Sequence, residues 1–135
     1  MSIQVLHKKP TPEEYVDLRI KTGMGEKDLN RSRIALENSL LIVSVYDNDQ
    51  LIGFGRIVGD QGLTYVVSDI MVDPAYQRRG YAGRIMQEID RYFDEFSHED
   101  SFIFLIANKP ADRLYSKHRF EYLSNNRCGM LRNQR

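Results

Sequence analysis

The sequence predicts an α+β fold built on a mixed and mostly antiparallel β-sheet. Two apolar runs at 40–46 and 51–58 flank a polar turn, and a third at 63–72 follows a second turn, as expected of three antiparallel strands. Apolar residues then recur at helical spacing over 85–96, which indicates an amphipathic helix. The apolar run at 102–107 completes a strand–helix–strand unit, so this helix joins a central pair of parallel strands.

Two helices are predicted ahead of the first of these strands. Thr11 can cap a helix, Pro12 suits its first position, and Glu14 completes a capping box. Gly23-Met24-Gly25 then breaks this helix. A second helix is predicted over 27–37, where the apolar periodicity is weaker.

The third strand is expected to stop at Asp73-Pro74, because proline removes a donor from the strand ladder. The nearly continuous apolar run at 102–107 is typical of a strand buried on both faces. A short helix is expected over 110–117. A final strand pair at 120–123 and 128–131 would complete the sheet.

The composition is that of an ordinary globular protein. The 135 residues include 19 Lys and Arg and 19 Asp and Glu, which makes the formal net charge zero. We expect a single domain over residues 1–135, because a chain of this length can bury one substantial core. Zero net charge disfavours general binding to nucleic acid or to anionic membranes, since both need a surface of one sign.

Cys128 is the only cysteine, so an intrachain disulfide is excluded and a reducing compartment is expected. The start lacks the layout of a signal peptide, and no run approaches the roughly 18 apolar residues of a membrane span. We therefore expect a cytoplasmic protein without membrane association. The histidines His7, His98 and His118 lack metal-ligand spacing, so no metal site is predicted.

The segment from Gln77 to Gly83, between the third strand and the long helix, has the clearest chemical signal. A helix that begins near Gly80 has amide N–H groups without intrahelical acceptors, and its dipole favours an anion. The glycines permit close approach to the backbone, while Arg78 and Arg79 add positive charge. We interpret the segment as a phosphate or pyrophosphate site; the alternative is a glycine-containing loop with solvated arginines.

Two other phosphate-binding motifs do not fit. The sequence has no G-x-x-x-x-G-K-[ST] segment, and Gly53-Phe54-Gly55 lies within a predicted strand instead of opening a helix. ATP hydrolysis and NAD chemistry therefore lose support.

The same region resembles a known family. Gln77-Arg78-Arg79-Gly80-Tyr81-Ala82 is similar to the Q/R-x-x-G-x-G/A signature of the GNAT superfamily of acyl-CoA-dependent N-acyltransferases. Asn108, followed by Leu114-Tyr115-Ser116-Lys117-His118-Arg119-Phe120, resembles the family's N…LYxKxGF segment. Two segments correctly spaced around a strand–helix–strand unit are more specific than either alone. The resemblance implies the GNAT fold.

The resemblance also implies an acetyl-CoA site. Backbone groups at 70–72 would pair with the pantetheine arm where neighbouring parallel strands splay apart, and the loop amides would hold the pyrophosphate. Asn108 would contact the cofactor from the next strand, and Tyr115 would lie near the thioester sulfur. The implied cofactor-binding residues are Ile70, Met71, Val72, Gln77, Arg78, Arg79, Gly80, Tyr81, Ala82, Gly83, Asn108 and Tyr115.

The chemistry of acyl transfer assigns further roles. The amine must lose a proton, and the leaving thiolate must be protonated or stabilised. Tyr115 is the candidate general acid, and Asp69 is the candidate acceptor of the amine proton, unless it is a strand-end aspartate that bonds to backbone. A backbone N–H near Met71 is the expected oxyanion donor. Arg119 replaces the glycine usual in the family, which bears on the turn after Tyr115.

We therefore predict an N-acetyltransferase that moves an acetyl group from acetyl-CoA to a primary amine in a ternary complex. The alternatives are a non-catalytic CoA-binding regulatory module and, with little support from the charge, a small RNA-binding domain. The sequence does not specify the acceptor, although residues 22–30 and the C-terminal tail are expected to select it. A homodimer is expected from the resemblance alone.

Overall fold

The computed structural model describes residues 2–134, in two compact units, one that runs to Leu105 and one that begins at Ile106. Its elements in chain order are β1 (Ile3–Leu6), α1 (Pro12–Lys21), α2 (Leu29–Glu37), β2 (Leu41–Asp47), β3 (Gln50–Gly59), β4 (Thr64–Val72), a 3₁₀ helix (Pro74–Tyr76), α3 (Tyr81–Phe96), β5 (Phe102–Phe104) and α4 (Asp112–Ser116). No helix in the described part of the chain is both long and apolar enough to cross a membrane.

The strands of the first unit form one sheet in the order β1-β2-β3-β4-β5. The first four strands are antiparallel to their neighbours, whereas β4 and β5 run parallel on either side of the α3 crossover. This mixed sheet confirms the predicted α+β fold class. The parallel pair lies at one edge of the sheet instead of its centre, because no further strand among the described residues pairs with β5.

Helix α1 begins as its local sequence predicts. The Thr11 hydroxyl accepts a hydrogen bond from the Glu14 N–H at 3.1 Å, and the Glu14 carboxylate accepts one from the Thr11 N–H at 2.9 Å. These two bonds form the predicted capping box. Helices α1 and α2 cover one face of the sheet, here called the α1 face. The buried cluster there comprises Tyr15, Val16, Leu18, Leu36, Ile42, Tyr46, Leu51, Phe54 and Met71.

Helix α3 covers the opposite face, here called the α3 face. Ile85, Met86 and Ile89 on this helix are fully buried, as the amphipathic pattern predicts. Gly55 on β3 allows the helix to approach closely, because an added Cβ would lie 2.6 Å from Ile70 Cδ1 and 2.7 Å from Ile85 Cγ2. A larger residue at Gly55 would push the helix and the sheet apart.

Three elements differ from the prediction. The short edge strand β1 was not predicted, because its register with β2 is a tertiary contact. Strand β5 covers only Phe102–Phe104, and Phe102 is 49% exposed, so the expectation of a strand buried on both faces is wrong. The final strand pair is also absent from the described residues of the second unit. A strand needs a neighbouring edge to complete its hydrogen bonds, and no other strand in that unit supplies one.

Candidate active site

Strand β4 contains a β-bulge at its middle. Phe54 pairs with Met71 and Arg56 pairs with Ser68, so two residues of β4, Asp69 and Ile70, stand opposite one residue of β3. Asp69 adopts the left-handed conformation, with φ of 59°, which is uncommon for a residue other than glycine. The bulge therefore interrupts the ladder in the segment where the resemblance places the acyl group.

The bulge also reverses the alternation of side chains along β4. Before it, Tyr65 faces α3, where its ring centroid lies 5.5 Å from that of Phe93. After it, Ile70 faces α3 and Met71 lies in the cluster on the α1 face. The side chains of odd-numbered residues therefore lie on the α3 face before the bulge and on the α1 face after it. The side chain of Asp69 points to α1 for the same reason.

The parallel pairing of β4 with β5 ends shortly before the bulge. The last pair is Val66 with Phe104, so the part of β4 from the bulge to Val72 has no pairing partner in β5. The resemblance places the splay between the parallel strands in this segment. It leaves one edge of β4 available to a ligand that can form strand-like hydrogen bonds.

The direction of the backbone N–H and C=O groups decides which residues of β4 can form hydrogen bonds along this open edge. The Asp73 N–H donates to the Ile52 carbonyl at 2.7 Å, so the backbone of Asp73 faces β3. Backbone N–H and C=O groups alternate in direction along a strand. Those of Met71 therefore also point to β3, whereas those of Val72 and Ile70 point to the open edge. The Met71 N–H, near which the oxyanion donor is predicted, therefore faces β3, whereas the Ile70 N–H faces the open edge. Met71 contributes a buried side chain, only 2% exposed.

Three side chains hold the carboxylate of Asp69. Tyr15 donates through its hydroxyl to Oδ2 at 2.6 Å, Arg56 Nε donates to Oδ2 at 2.8 Å, and Arg19 Nη1 donates to Oδ1 at 3.1 Å. The Asp69 side chain is only 8% exposed. Burial opposes its ionisation, but the hydrogen bond from Tyr15 and the two guanidinium groups lower the pKa of Asp69 overall.

These contacts argue against the general-base role predicted for Asp69. Both of its oxygens already accept hydrogen bonds, and a lowered pKa makes the carboxylate a weaker base. Burial and the neighbouring Asp69 raise the pKa of Tyr15 to about 12, so that hydroxyl keeps its proton at neutral pH. Asp69, Arg19 and Arg56 form a buried ion-pair network at the bulge.

The loop between β4 and α3 fits an anionic ligand. Gly80 is the N-cap of α3 with φ of 83°, and it has no side chain to cap the first amide groups of the helix. A Cβ added at Gly80 or at Gly83 would meet nothing within 4 Å, so space remains beside the backbone at both positions. Arg78 is exposed and has φ of 65°. These features fit the predicted phosphate site at this helix N-terminus, whose contact with a ligand stays a prediction.

Side chains tie this loop to the sheet. The Tyr76 hydroxyl donates to Asp47 at 2.5 Å and lowers the pKa of that carboxyl group. Gln77 donates through Nε2 to the Val72 carbonyl at 3.0 Å, and Arg79 lies 5.4 Å from the centroid of the Tyr76 ring. Gln77 therefore connects the loop to the strand. Its predicted contact with the cofactor stays a prediction.

The second unit carries the remaining predicted residues. Asn108 is exposed, and Tyr115 is a half-buried residue of α4 whose pKa is raised by burial. Arg119 has φ of 69°, the conformation that the glycine usual at this position adopts freely. The turn after Tyr115 is thus kept despite the arginine, with the Phe120 N–H donating to the Tyr115 carbonyl at 3.2 Å.

Sequence reasoning did not identify Tyr15, Arg19 and Arg56 as site residues. A signal was available in α1, where Tyr15 and Arg19 are four residues apart and so share a helix face. An arginine on the apolar face of a helix needs a partner inside the protein. The identity of that partner depends on the tertiary structure.

A sheet that opens along one strand, beside the N-terminus of a helix, is the arrangement that the resemblance to acetyltransferases implies. No cluster of potential metal ligands occurs among the described residues. The profile of the Acetyltransferase (GNAT) family matches residues 4–120, and the chain belongs to this family.

Individual relatives agree with this assignment. An uncharacterized N-acetyltransferase (ycf52-like) of Prochlorococcus marinus is 33% identical over 82 residues, which cover 58% of this chain and 46% of the relative. The solved structure of a Staphylococcus aureus protein of unknown function, titled "Probable Acetyltransferase", has a TM-score of 0.93 at 38% identity and covers 98% of this chain and 100% of that chain. The chain spans less than two thirds of the first curated relatives it matches.

The solved structure of AAC(6')-Iy is titled as a complex with a bisubstrate analog, CoA-S-monomethyl-acetylneamine. Its TM-score is 0.71 and it covers 99% of both chains, at 16% sequence identity. At that identity the similarity shows the fold alone.

Proposed function

We propose that the protein transfers an acetyl group from acetyl-CoA to a primary amine, directly and within a ternary complex. The observation that carries the proposal is the open edge of β4 beyond Val66, which leads to the N-terminus of α3. An elongated ligand with amide groups at one end and phosphates at the other matches this surface. Coenzyme A has this chemistry.

The residues present fit such a substrate. The backbone groups of Ile70 and the N–H of Val72 would pair with the pantetheine arm, as an added strand pairs with an edge, while the Val72 carbonyl accepts a hydrogen bond from Gln77. The amides from Arg78 to Gly83 would hold the pyrophosphate, with the two arginines adding charge. We keep Asn108 as a proposed contact from the second unit.

The proposed chemistry uses few protein groups. The thioester supplies an activated acetyl group, so no covalent enzyme intermediate is needed. The Ile70 N–H would donate to the carbonyl oxygen as it gains negative charge. Tyr115 would protonate the leaving thiolate; burial raises its pKa, so its hydroxyl carries the required proton at neutral pH. The amine would enter as its free base and release its proton to water, since Asp69 is already bonded.

The acceptor is proposed only as a class. The loop from Thr22 to Asn30 is the proposed selecting region, together with the C-terminal tail. Glu26 is exposed there, whereas Asp28 caps α2 by accepting a hydrogen bond from the Arg31 N–H at 2.8 Å. The Asp69 carboxylate forms ion pairs with Arg19 and Arg56. Glu26 is therefore the acidic side chain that we propose attracts a cationic acceptor.

Two further expectations remain proposals. A homodimer is supported by exposed apolar side chains near the C-terminus, with Met130 88% and Leu131 86% exposed. Analytical ultracentrifugation would give twice the monomer mass if the homodimer forms. Cytoplasmic location stays a prediction from the single cysteine.

Calorimetric titration with acetyl-CoA, beside dephospho-CoA and NAD as controls, tests the substrate assignment. We expect micromolar binding of acetyl-CoA and no binding of NAD. The absence of acetyl-CoA binding to the folded protein would contradict the proposal. Release of free thiol in a panel of polyamine, aminoglycoside, arylalkylamine, amino acid and lysine-peptide acceptors would then distinguish an enzyme from the non-catalytic CoA-binding module.

Tyr115→Phe tests the general acid. We expect the maximal rate to fall by about 100-fold or more with little change in acetyl-CoA affinity, because only proton delivery is removed. Tyr122→Phe is the matched control, since this second tyrosine of the same unit is 70% exposed and bonds through its hydroxyl to Asp112. Equal rates for Tyr115→Phe and the wild type would exclude the role.

A further inference from the structure

Arg19 bonds to two separate parts of the first unit. Its guanidinium group donates from Nη1 to the Asp69 carboxylate at 3.1 Å, from Nη2 to the Met24 carbonyl at 2.7 Å and from Nε to the Gly25 carbonyl at 3.0 Å. The side chain is 8% exposed. One buried group therefore joins the bulge of β4 to the loop between α1 and α2.

Backbone hydrogen bonds hold the start of that loop: the Gly23 N–H donates to the Ile20 carbonyl at 3.1 Å and the Met24 N–H to the Arg19 carbonyl at 2.9 Å. Gly23 and Gly25 have φ of 78° and 86°, so the chain reverses there in a conformation that glycine adopts without strain. The residues from Gly25 to Asn30 are exposed, while Met24 is half-buried against the cluster on the α1 face. A glycine-rich loop of this kind has many accessible conformations unless a side chain holds its carbonyl groups.

We propose that Arg19 is a positioning residue for the acceptor side of the reaction: it holds the α1–α2 loop against Asp69, and so sets the loop relative to the Ile70 N–H. The inference deepens the proposed function and rests on it where it refers to an acceptor. Arg19 acts through the loop and through Asp69, without contact with the reacting atoms.

The geometry requires arginine at this position. A guanidinium group presents five N–H donors in a rigid plane, and here all three of its nitrogen atoms reach acceptors in different directions. Lysine carries the same charge on a single atom and could satisfy only part of the set. Asp69 keeps Tyr15 and Arg56 as partners when Arg19 is replaced, so the bulge retains most of its support.

The test compares Arg19→Gln and Arg19→Lys with two control variants. Arg56→Gln removes a different arginine from Asp69 without touching the loop. Arg91→Gln removes a surface ion pair whose arginine is 76% exposed. Hydrogen exchange measured by mass spectrometry reports on the loop at 22–28 and on the strand at 68–72. Steady-state kinetics would use the panel amine that the wild type acetylates fastest, and calorimetry would use acetyl-CoA.

For Arg19→Gln we expect loop exchange to become about tenfold faster and the KM for the amine to rise about tenfold, with acetyl-CoA affinity within about twofold of wild type. Arg19→Lys should restore part of both effects. Arg56→Gln should speed exchange at 68–72 only, and Arg91→Gln should change neither segment. A merely structural role would lower stability without this separation between segments and between substrates.

Three results would overturn the inference. The first is unchanged hydrogen exchange of the loop in a folded Arg19→Lys or Arg19→Gln protein. The second is equal loop exchange in Arg19→Gln and Arg56→Gln. The third is faster loop exchange with an unchanged KM for the amine. If Arg19→Gln does not fold, Arg19→Lys decides the question. Failure of the wild type to bind acetyl-CoA would refute the proposed function instead, and the exchange data would still decide whether Arg19 holds the loop.

Discussion

The two halves of β4 have similar apolar sequences but differ in how they pair with neighbouring strands. The half that begins at Thr64 pairs with β3 on one edge and with β5 on the other, up to Val66. The half that ends at Val72 pairs with β3 alone. The bulge at Asp69 separates the two. The first half completes the sheet, and the second has backbone groups without a strand partner on the side of β5.

This difference shows how the fold can create a site without charged side chains at its centre. An edge strand inside a globular protein is normally covered or paired, because its unpaired backbone groups attract other strands. Here the backbone groups of Ile70 and the N–H of Val72 face the open edge, the Val72 carbonyl accepting a hydrogen bond from Gln77, while Arg19 and Arg56 pair with the neighbouring Asp69 carboxylate. We propose that the edge of β4 that pairs with β3 stabilises the sheet and that the other edge, beyond Val66, binds the ligand.

The largest expected effect on this comparison comes from Asp69→Asn. The amide would leave Arg19 and Arg56 buried without a counter-charge, and such a loss costs about 3–5 kcal/mol of unfolding free energy. Urea denaturation at pH 7 measures it. Asp49→Asn, in the exposed turn after β2, should change stability by less than about 0.5 kcal/mol.

The pH dependence of the same variant sharpens the test. Because the pKa of Asp69 is lower in the folded than in the unfolded state, its stabilising contribution is complete above the unfolded pKa of about 3.9. It is lost as the pH falls through the folded pKa. The difference between wild type and Asp69→Asn should therefore shrink below about pH 4. A constant difference down to the lowest pH at which both fold would show that Asp69 does not act through its charge.

Gly80→Val tests the phosphate end of the open edge. The left-handed φ of 83° disfavours valine, and its side chain would fill the space beside the first amides of α3. We expect the dissociation constant for acetyl-CoA to rise about 100-fold, equivalent to about 2.7 kcal/mol. Gly23→Val is the matched control: its φ is 78°, but it lies in the α1–α2 loop. Equal losses of affinity in both variants would attribute the effect to backbone strain.

Proline substitutions separate the two halves directly. Val66→Pro removes an N–H from the half that is paired on both edges, so it should cost about 1–3 kcal/mol for the ladder acceptor that loses its donor. Val72→Pro removes an N–H that faces the open edge, so stability should fall by about 1 kcal/mol or less while acetyl-CoA affinity falls. Thermal unfolding and calorimetry measure the two quantities. A larger stability loss for Val72→Pro would refute the open-edge assignment.

Local sequence was sufficient to predict several parts of the molecule. The capping box of Thr11 and Glu14 needs only a few neighbouring residues, and the structure contains it. The same holds for the start of α3 after Gly80 and for the end of β4 before Pro74. Their causes are backbone conformation and hydrogen bonds between near neighbours. Such causes act whatever the rest of the chain does.

Other parts depended on partners far along the chain. The role of Asp69 could not be inferred from its position at a strand end, because Tyr15 and Arg19 lie 54 and 50 residues away and reach it only when α1 packs on the sheet. Burial of 102–107 was overestimated, since the apolar run did not reveal that β5 would have one neighbour. The Ile70 N–H, and not the Met71 N–H, is the proposed oxyanion donor because the hydrogen bond from the Asp73 N–H to β3 fixes which backbone groups face the open edge.

By itself, the sequence determined the fold class, the family and the conformation-setting residues of the loop proposed to bind phosphate, because periodicity and short motifs record interactions between near neighbours. Only the tertiary structure decided where β4 opens, which of its backbone groups face the opening, and that Arg19 joins Asp69 to the α1–α2 loop. The physical reason is that a bulge reverses the two faces of a strand, and a buried charge takes its partners from wherever packing brings them.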